Sequence, residues 1–129
     1  MKVLALDYGA ARTGVAVSDA TGTIARPLGV VERAAGEHGL AELRDLVVEH
    51  AADRVVVGMP VTLRGERGAQ ALETDAFVEA LRGVVTIPVE TYDERFTTAL
   101  AAREGGTSAE DARAAAHLLQ SYLERLGGR

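Results

Sequence analysis

The sequence predicts an α/β fold in which one five-stranded mixed sheet carries helices packed on it. Three observations lead there. Val3–Leu6 and Val55–Val57 are short, unbroken apolar runs, as in strands buried on both faces. Beyond Val31 the apolar residues change from strand spacing to helical spacing. Turn residues, among them Gly9 and Asp19-Ala20-Thr21-Gly22, punctuate the first third of the chain.

The elements follow in order. Val3–Leu6 is a first strand, Tyr8–Thr13 a turn, Gly14–Ser18 a second strand and Thr23–Val31 a third. Pro27 marks that third strand as an edge or a bulged one. Together they make an antiparallel meander. Leu40, Leu43, Val47 and Ala51 then share a helical face, with Glu42, Asp45 and Glu49 off it. Arg54–Gly58 is a fourth strand. Leu72, Ala76, Phe77 and Ala80 mark a second helix, and Ile87–Tyr92 is the fifth strand. Thr97–Glu104 reads as a short helix stopped by Gly105-Gly106. The last helix runs from about Ala109 to Leu126, with Ala115, Leu118, Leu119, Tyr122 and Leu126 as its apolar stripe. The order β-β-β-α-β-α-β-α, closed by right-handed crossovers, is that of an RNase H-like fold.

With 129 residues and no linker, repeat or low-complexity tract, the chain reads as one domain, 1–129, able to fold without disulfide or structural metal. It has no cysteine, which excludes thiolate chemistry and zinc–thiolate sites and fits a reducing cytosol. The apolar run at the N-terminus is too short for a signal peptide, and no stretch is long enough to span a membrane. A net charge of −5 argues against broad, non-specific nucleic-acid binding but leaves room for local contacts. Lys2 is the only lysine, so nearly all positive charge is arginine, whose planar fork matches phosphate. Base composition of the genome is the favoured account for most of these arginines.

Three acids stand at element ends. Asp7 closes the first strand before Gly9; a carboxylate at the carboxyl end of a central strand faces the crevice where α/β folds bind ligands. It could instead cap the Tyr8–Thr13 turn. Glu94 follows the fifth strand; it could pair with Arg95 or favour the next helix N-terminus. Asp111 fits a capping box with Ser108, yet its spacing to Ala115 and Leu118 continues the inward stripe. Carboxylates brought together suit Mg²⁺ or Mn²⁺, which take oxygen ligands and leave positions for water and phosphate. Such ions also invert the field that would otherwise repel a phosphate backbone.

Gly58-Met59-Pro60 leads into Arg64-Gly65-Glu66-Arg67-Gly68, a loop before a helix that could grip phosphate or be plain surface; it lacks the Walker ending. Arg12 could reach a backbone phosphate or balance Asp7. His38, His50 and His117 form no ligand-spaced pair and are read as structural or solvent-facing. Ser18 and Thr97 have no His-Asp partners, so a serine-hydrolase reading has no support.

Four motifs in order resemble the YqgF/RuvX family. They are Asp7-Tyr8-Gly9-x-x-Arg12-x-Gly14-x-Ala16-x-Ser18-Asp19; Gly58-Met59-Pro60 with Gly65; Asp93-Glu94-Arg95-x-Thr97-Thr98; and Asp111 with Ala114-Ala115 and Leu119-Gln120-Ser121-Tyr122-Leu123. Their spacing holds from residue 3 to residue 123. The chain departs from the family in a less basic segment before Asp111 and in His117, which stands where an aliphatic residue is common.

The resemblance implies a bacterial, cytoplasmic, RNase H-like nuclease using Mg²⁺ or Mn²⁺. The expected activity is maturation of the 5′ end of precursor 16S ribosomal RNA, with ribosomal particles as possible partners. The family's likeness to Holliday-junction resolvases makes branched DNA the alternative substrate, in DNA recombination. The resemblance assigns catalysis and metal binding to Asp7, Glu94 and Asp111. Arg12 and Arg95 also match family positions, and with Arg64 and Arg67 they are the candidate phosphate contacts. Monomer and homodimer both remain open; symmetric junction cutting would favour the dimer. A non-catalytic nucleic-acid-binding module is a third reading, since fold alone does not give activity. A sugar-kinase or actin-like ATPase is rejected, because those enzymes close two domains around ATP. One geometric demand follows from a strand order of 3-2-1-4-5. The first and fifth strands would lie about 9–10 Å apart, so Glu94 must lean back across the fourth to share a metal with Asp7; the alternative is that it only orients a water or Arg95.

Overall fold

The computed structural model describes residues 1–60, 68–94 and 107–127. Strands β1 (Val3–Asp7), β2 (Arg12–Ser18) and β3 (Ala25–Glu32) form the expected antiparallel meander. Helix α1 (Glu37–Glu49) leads to β4 (Arg54–Met59), helix α2 (Ala69–Arg82) to β5 (Val89–Asp93), and α3 (Ser108–Gly127) follows. The sheet order is β3-β2-β1-β4-β5, with β4 parallel to both β1 and β5. The short helix expected at Thr97–Glu104 lies outside the described residues.

Strand alternation sends side chains to two cores. Leu4, Leu6, Val15, Val17, Val55, Val57 and Val89 pack with Leu43 and Val47 of α1 and with Phe77, Val78 and Leu81 of α2. Val3, Ala5, Ala16 and Val56 meet Ala115, Leu118, Leu119, Tyr122 and Leu123 of α3 on the other face. β3 is an edge strand, and its register slips so that Leu28 stands unpaired between Pro27 and Gly29. Both readings of Pro27 therefore hold.

Two expected helix faces are corrected. On α2 the buried residues are Ala71, Thr74, Phe77, Val78 and Leu81, while Leu72 is 69% exposed. Thr74 can be buried because its hydroxyl donates to the Gln70 carbonyl at 2.8 Å, and the inward stripe passes through it rather than through Leu72 and Ala76. Ala51 lies beyond the end of α1 at φ +50° and is exposed; Ala52 is buried in its place. β5 starts two residues later than expected, after Pro88, whose carbonyl accepts from the Val55 amide at 2.9 Å.

Polar side chains clamp α3 to the sheet. Gln120 accepts from the Ala25 amide and donates to the Thr23 carbonyl, both at 3.0 Å. Ser121 shares a 2.8 Å hydrogen bond with Tyr92. The Tyr122 hydroxyl donates to Glu90 and accepts from Arg54, each at 2.6 Å. Burial and the Glu90 carboxylate raise the Tyr122 pKa, so the phenol keeps its proton. The Gln-Ser-Tyr run is thus structural: each residue ties α3 to a different part of the sheet.

The β2–β3 turn is organised by Asp19. Its carboxylate accepts from the Thr21 hydroxyl at 2.6 Å and from the amides of Thr23 and Ile24 at 2.8 and 3.1 Å. Those bonds, the Thr21 hydroxyl first, lower its pKa to about 2.

Candidate active site

Strand parity puts the key residues on one face. Val3 and Ala5 point under α3, so Asp7 does too. The same alternation carries Ala16 to Gly14 and Arg12 in β2, Val56 to Gly58 in β4, and Tyr92 to Glu94 just past β5. The candidate site is therefore the carboxyl edge of β1, β4 and β5 on the α3 face, where parallel α/β sheets open a crevice.

Asp7 is 6% exposed and Glu94 3%. Two carboxylates this deeply buried are costly to charge unless cations or donors meet them. A glycine stands beside β1 on each side. On one, Gly14 pairs directly with Asp7. On the other, the register continues from Leu6 opposite Val57, which brings Gly58 to the level of Asp7. A Cβ on Gly14 would lie 2.0 Å from the Asp111 carbonyl oxygen, so the first turns of α3 rest on bare backbone. A Cβ on Gly58 would lie 2.7 Å from Glu94 Oε1 and 2.9 Å from its Cγ. Glu94 thus does lean back over β4, toward the Asp7 side. A carboxylate above Gly58 is about 4.8 Å, one strand spacing, from β1.

Asp111 is not the capping acid. The box forms one residue earlier: the Glu110 amide donates to Thr107 Oγ1 at 3.2 Å, and Glu110 Oε1 accepts from the Thr107 amide at 3.1 Å. The expected box with Ser108 is corrected by that register, and Asp111 is left to face the sheet. Its Oδ2 meets Arg12 Nε at 2.7 Å, with the Asp111 side chain 13% exposed and that of Arg12 36%. The Arg12 guanidinium is thus paired with Asp111. Among the described residues, no three acids or histidines stand close enough together to hold one metal ion. Arg64, Arg67 and Arg95 lie outside the described residues. His38 and His117 are exposed and His50 half-buried.

The hairpin before the site is tight. A Cβ on Gly9 would come within 2.4 Å of the Arg12 carbonyl oxygen, and Thr13 Oγ1 bonds the Gly9 amide and carbonyl, both at 3.3 Å. On the opposite face, Tyr8 stacks on Phe77 with centroids 4.5 Å apart. It borders a shallow pocket of about 200 Å³ with Gly9, Pro60, Gln70, Glu73 and Thr74. Burial, then the Glu73 carboxylate, raises the Tyr8 pKa.

The roles of Gly14 and Gly58 were not drawn from the sequence. The available signal is a lone glycine inside an otherwise apolar strand, which marks close approach by another group.

Comparison with known proteins places the chain among relatives. A profile of the RuvX family, described as Holliday junction resolvase, matches residues 1–125. A Rubrobacter xylanophilus protein is 44% identical over 135 residues, covering 98% of this chain and 95% of its own. A Chloroflexus aggregans protein is 46% identical over 99 residues, or 77% of this chain. The match spans 70% of its length, and 65% of that of a Chloroflexus aurantiacus relative. All three carry the provisional name pre-16S rRNA nuclease. RuvC of T. thermophilus, solved in complex with a Holliday junction substrate, superposes with a TM-score of 0.61 at 19% identity over 99% of this chain and 96% of its own. At that identity the likeness is one of fold, and the fold is RNase H-like.

Proposed function

The chain belongs to the RuvX family, and on that premise we propose that it is a single-domain, divalent-metal-dependent endonuclease acting in 5′-end maturation of precursor 16S ribosomal RNA. The observation that carries this reading is Glu94 folded over Gly58 toward Asp7, which gives two buried carboxylates on one face of the sheet edge. The RNA substrate is carried over from the name of relatives matched nearly end to end.

The donor set fits the metal. Asp7, Glu94 and Asp111 offer only carboxylate oxygens, as Mg²⁺ and Mn²⁺ prefer. An ion held there would supply an activated water and neutralise charge on the leaving oxygen. The chain's own residues do the rest. Asp7 and Glu94 would hold the ion from the sheet, and Asp111 would complete the set once its pair with Arg12 opened. Arg12, so released, turns to a backbone phosphate, joined by Arg64, Arg67 and Arg95. Water then attacks phosphorus in line and gives up a proton to solvent, while the bond to the leaving oxygen breaks and that oxygen takes a proton from solvent. With a net charge of −5, binding depends on these few arginines rather than on the overall field. Among the described residues no helix is long and apolar enough to cross a membrane. A cytoplasmic protein meeting RNA on ribosomal particles, as monomer or homodimer, accords with this reading.

A second reading, a Holliday-junction resolvase, is favoured by the description of the matching family profile. One experiment separates the two. Purified protein is incubated with precursor 16S RNA and with a four-way DNA junction, in Mn²⁺ or in chelator. Cleavage near the RNA 5′ end in Mn²⁺ only is the expected result. Symmetric junction cuts with intact RNA would transfer the assignment to the resolvase. Metal-insensitive binding without turnover would leave a non-catalytic module.

Arg12→Ala tests the exchange. Removing the cation that competes for Asp111 is expected to tighten Mn²⁺ binding several-fold in calorimetry. The same variant should weaken nucleic-acid binding and reduce the salt slope by about one. Unchanged metal affinity would make the Arg12–Asp111 pair purely structural.

A further inference from the structure

We infer that Gly58 is a positioning residue, whose missing Cβ is the gap through which Glu94 crosses β4 to reach the Asp7 side of the sheet. The inference rests on the proposed reading of Asp7 and Glu94 as joint ligands.

The geometry makes the demand explicit. β5 is two strands from β1, with β4 between them. Glu94 follows Asp93, which pairs with Met59 one step beyond Gly58. Its side chain must therefore run sideways across β4 and slightly backward. At Gly58 three Glu94 atoms, Oε1, Cγ and Cδ, lie 2.7, 2.9 and 3.1 Å from where a Cβ would be. Van der Waals repulsion all but excludes Cβ contacts under 3.0 Å, so any side chain at residue 58 pushes Glu94 out of its path. Glu94 cannot swing aside freely, because it is 3% exposed. Nor is Gly58 required by its backbone: it is an ordinary strand residue, and the described glycines at positive φ are Gly22 and Gly29. Its neighbours Val55, Val56 and Val57 show that bulk is otherwise welcome in this strand. What sets position 58 apart is the carboxylate lying over it.

The test combines a thermal cycle with metal binding, using Gly58→Ala, Glu94→Ala and the double variant of the full chain. In the wild-type background Gly58→Ala is expected to lower Tm by about 4 °C or more, the effect of overpacking a buried site. In the Glu94→Ala background the same change should shift Tm by no more than about 1 °C, because the clash is gone and alanine restricts the unfolded chain. Gly58→Ala should also raise the Kd for Mn²⁺, read by calorimetry, by about tenfold or more.

An equal Tm loss in both backgrounds, or wild-type Mn²⁺ affinity in Gly58→Ala, would overturn the inference. If Gly58→Ala alone does not fold, the double variant should still fold and melt with Glu94→Ala; a double variant that also fails would overturn it. Should the wild-type protein bind no Mn²⁺, the metal-dependent reading falls. The thermal cycle would still decide whether Gly58 makes room for Glu94.

Discussion

Asp7→Asn is expected to lower the single-turnover cleavage rate in Mn²⁺ by about 10³-fold or more, a barrier increase of about 4 kcal/mol. Asparagine keeps the shape of the side chain and removes the charge that holds a cation. Asp7 is the acid most firmly set by the backbone: it is in β1, paired with Gly14, between two other strands. Asp7 is 6% exposed, so the melting temperature of the variant checks that the exchange leaves the fold intact. Rates are read on precursor RNA with matched protein, and melting by circular dichroism. A variant that cuts at the wild-type rate would remove Asp7 from the chemistry, and with it the proposed metal site.

Gly14→Ala is expected to be the most damaging of the glycine substitutions. The new Cβ would meet Asp111 O at 2.0 Å, Asp111 C at 2.6 Å and Ala112 N at 3.3 Å. All three are backbone atoms of a helix, so no side chain can turn away; α3 itself has to lift. Overpacking of that kind costs about 3 kcal/mol, or about 10 °C in Tm for a chain of this length. Cleavage should fall by about 10²-fold beyond any loss of folded protein, because a shift of about 1 Å misplaces Asp111. Gly127→Ala, at the exposed end of α3 where nothing lies within 4 Å of the added atom, is the control and should change stability by about 1 kcal/mol at most. A Gly14→Ala protein as stable and active as that control would show that α3 does not depend on this contact.

Much of this was legible in the sequence, because it is written in local periodicity. The unbroken run Val3–Leu6 identified the central strand, and Asp7 at its end followed. The stripe Ala115, Leu118, Leu119 and Tyr122 identified the sheet-facing side of α3 and carried Asp111 with it. The motifs resembling the YqgF/RuvX family were in register, and the chain belongs to that family.

What was not legible depended on partners far away in sequence or on hydrogen bonds that hide polarity. Leu72 is the larger and more apolar residue, yet Thr74 is the buried one, its hydroxyl satisfied by donating to the Gln70 carbonyl. Both Thr107/Glu110 and Ser108/Asp111 fit the capping spacing, and only the register of the first turn separates them. Nothing near residue 94 announces that its side chain crosses a strand; the matching sign is the absent side chain at residue 58.

The clamp on α3 makes that helix a lever. Its fulcrum is at Gln120, Ser121 and Tyr122, bonded to β3, β4 and β5. Asp111 is about two and a half turns away, roughly 14 Å along the axis, at the working end. Gly14 is the stop on which that end rests. A tilt of about 4° at the fulcrum moves the working end by about 1 Å. Residues with no access to substrate, such as Tyr122 and its partners Arg54 and Glu90, can in this way tune the reach of Asp111.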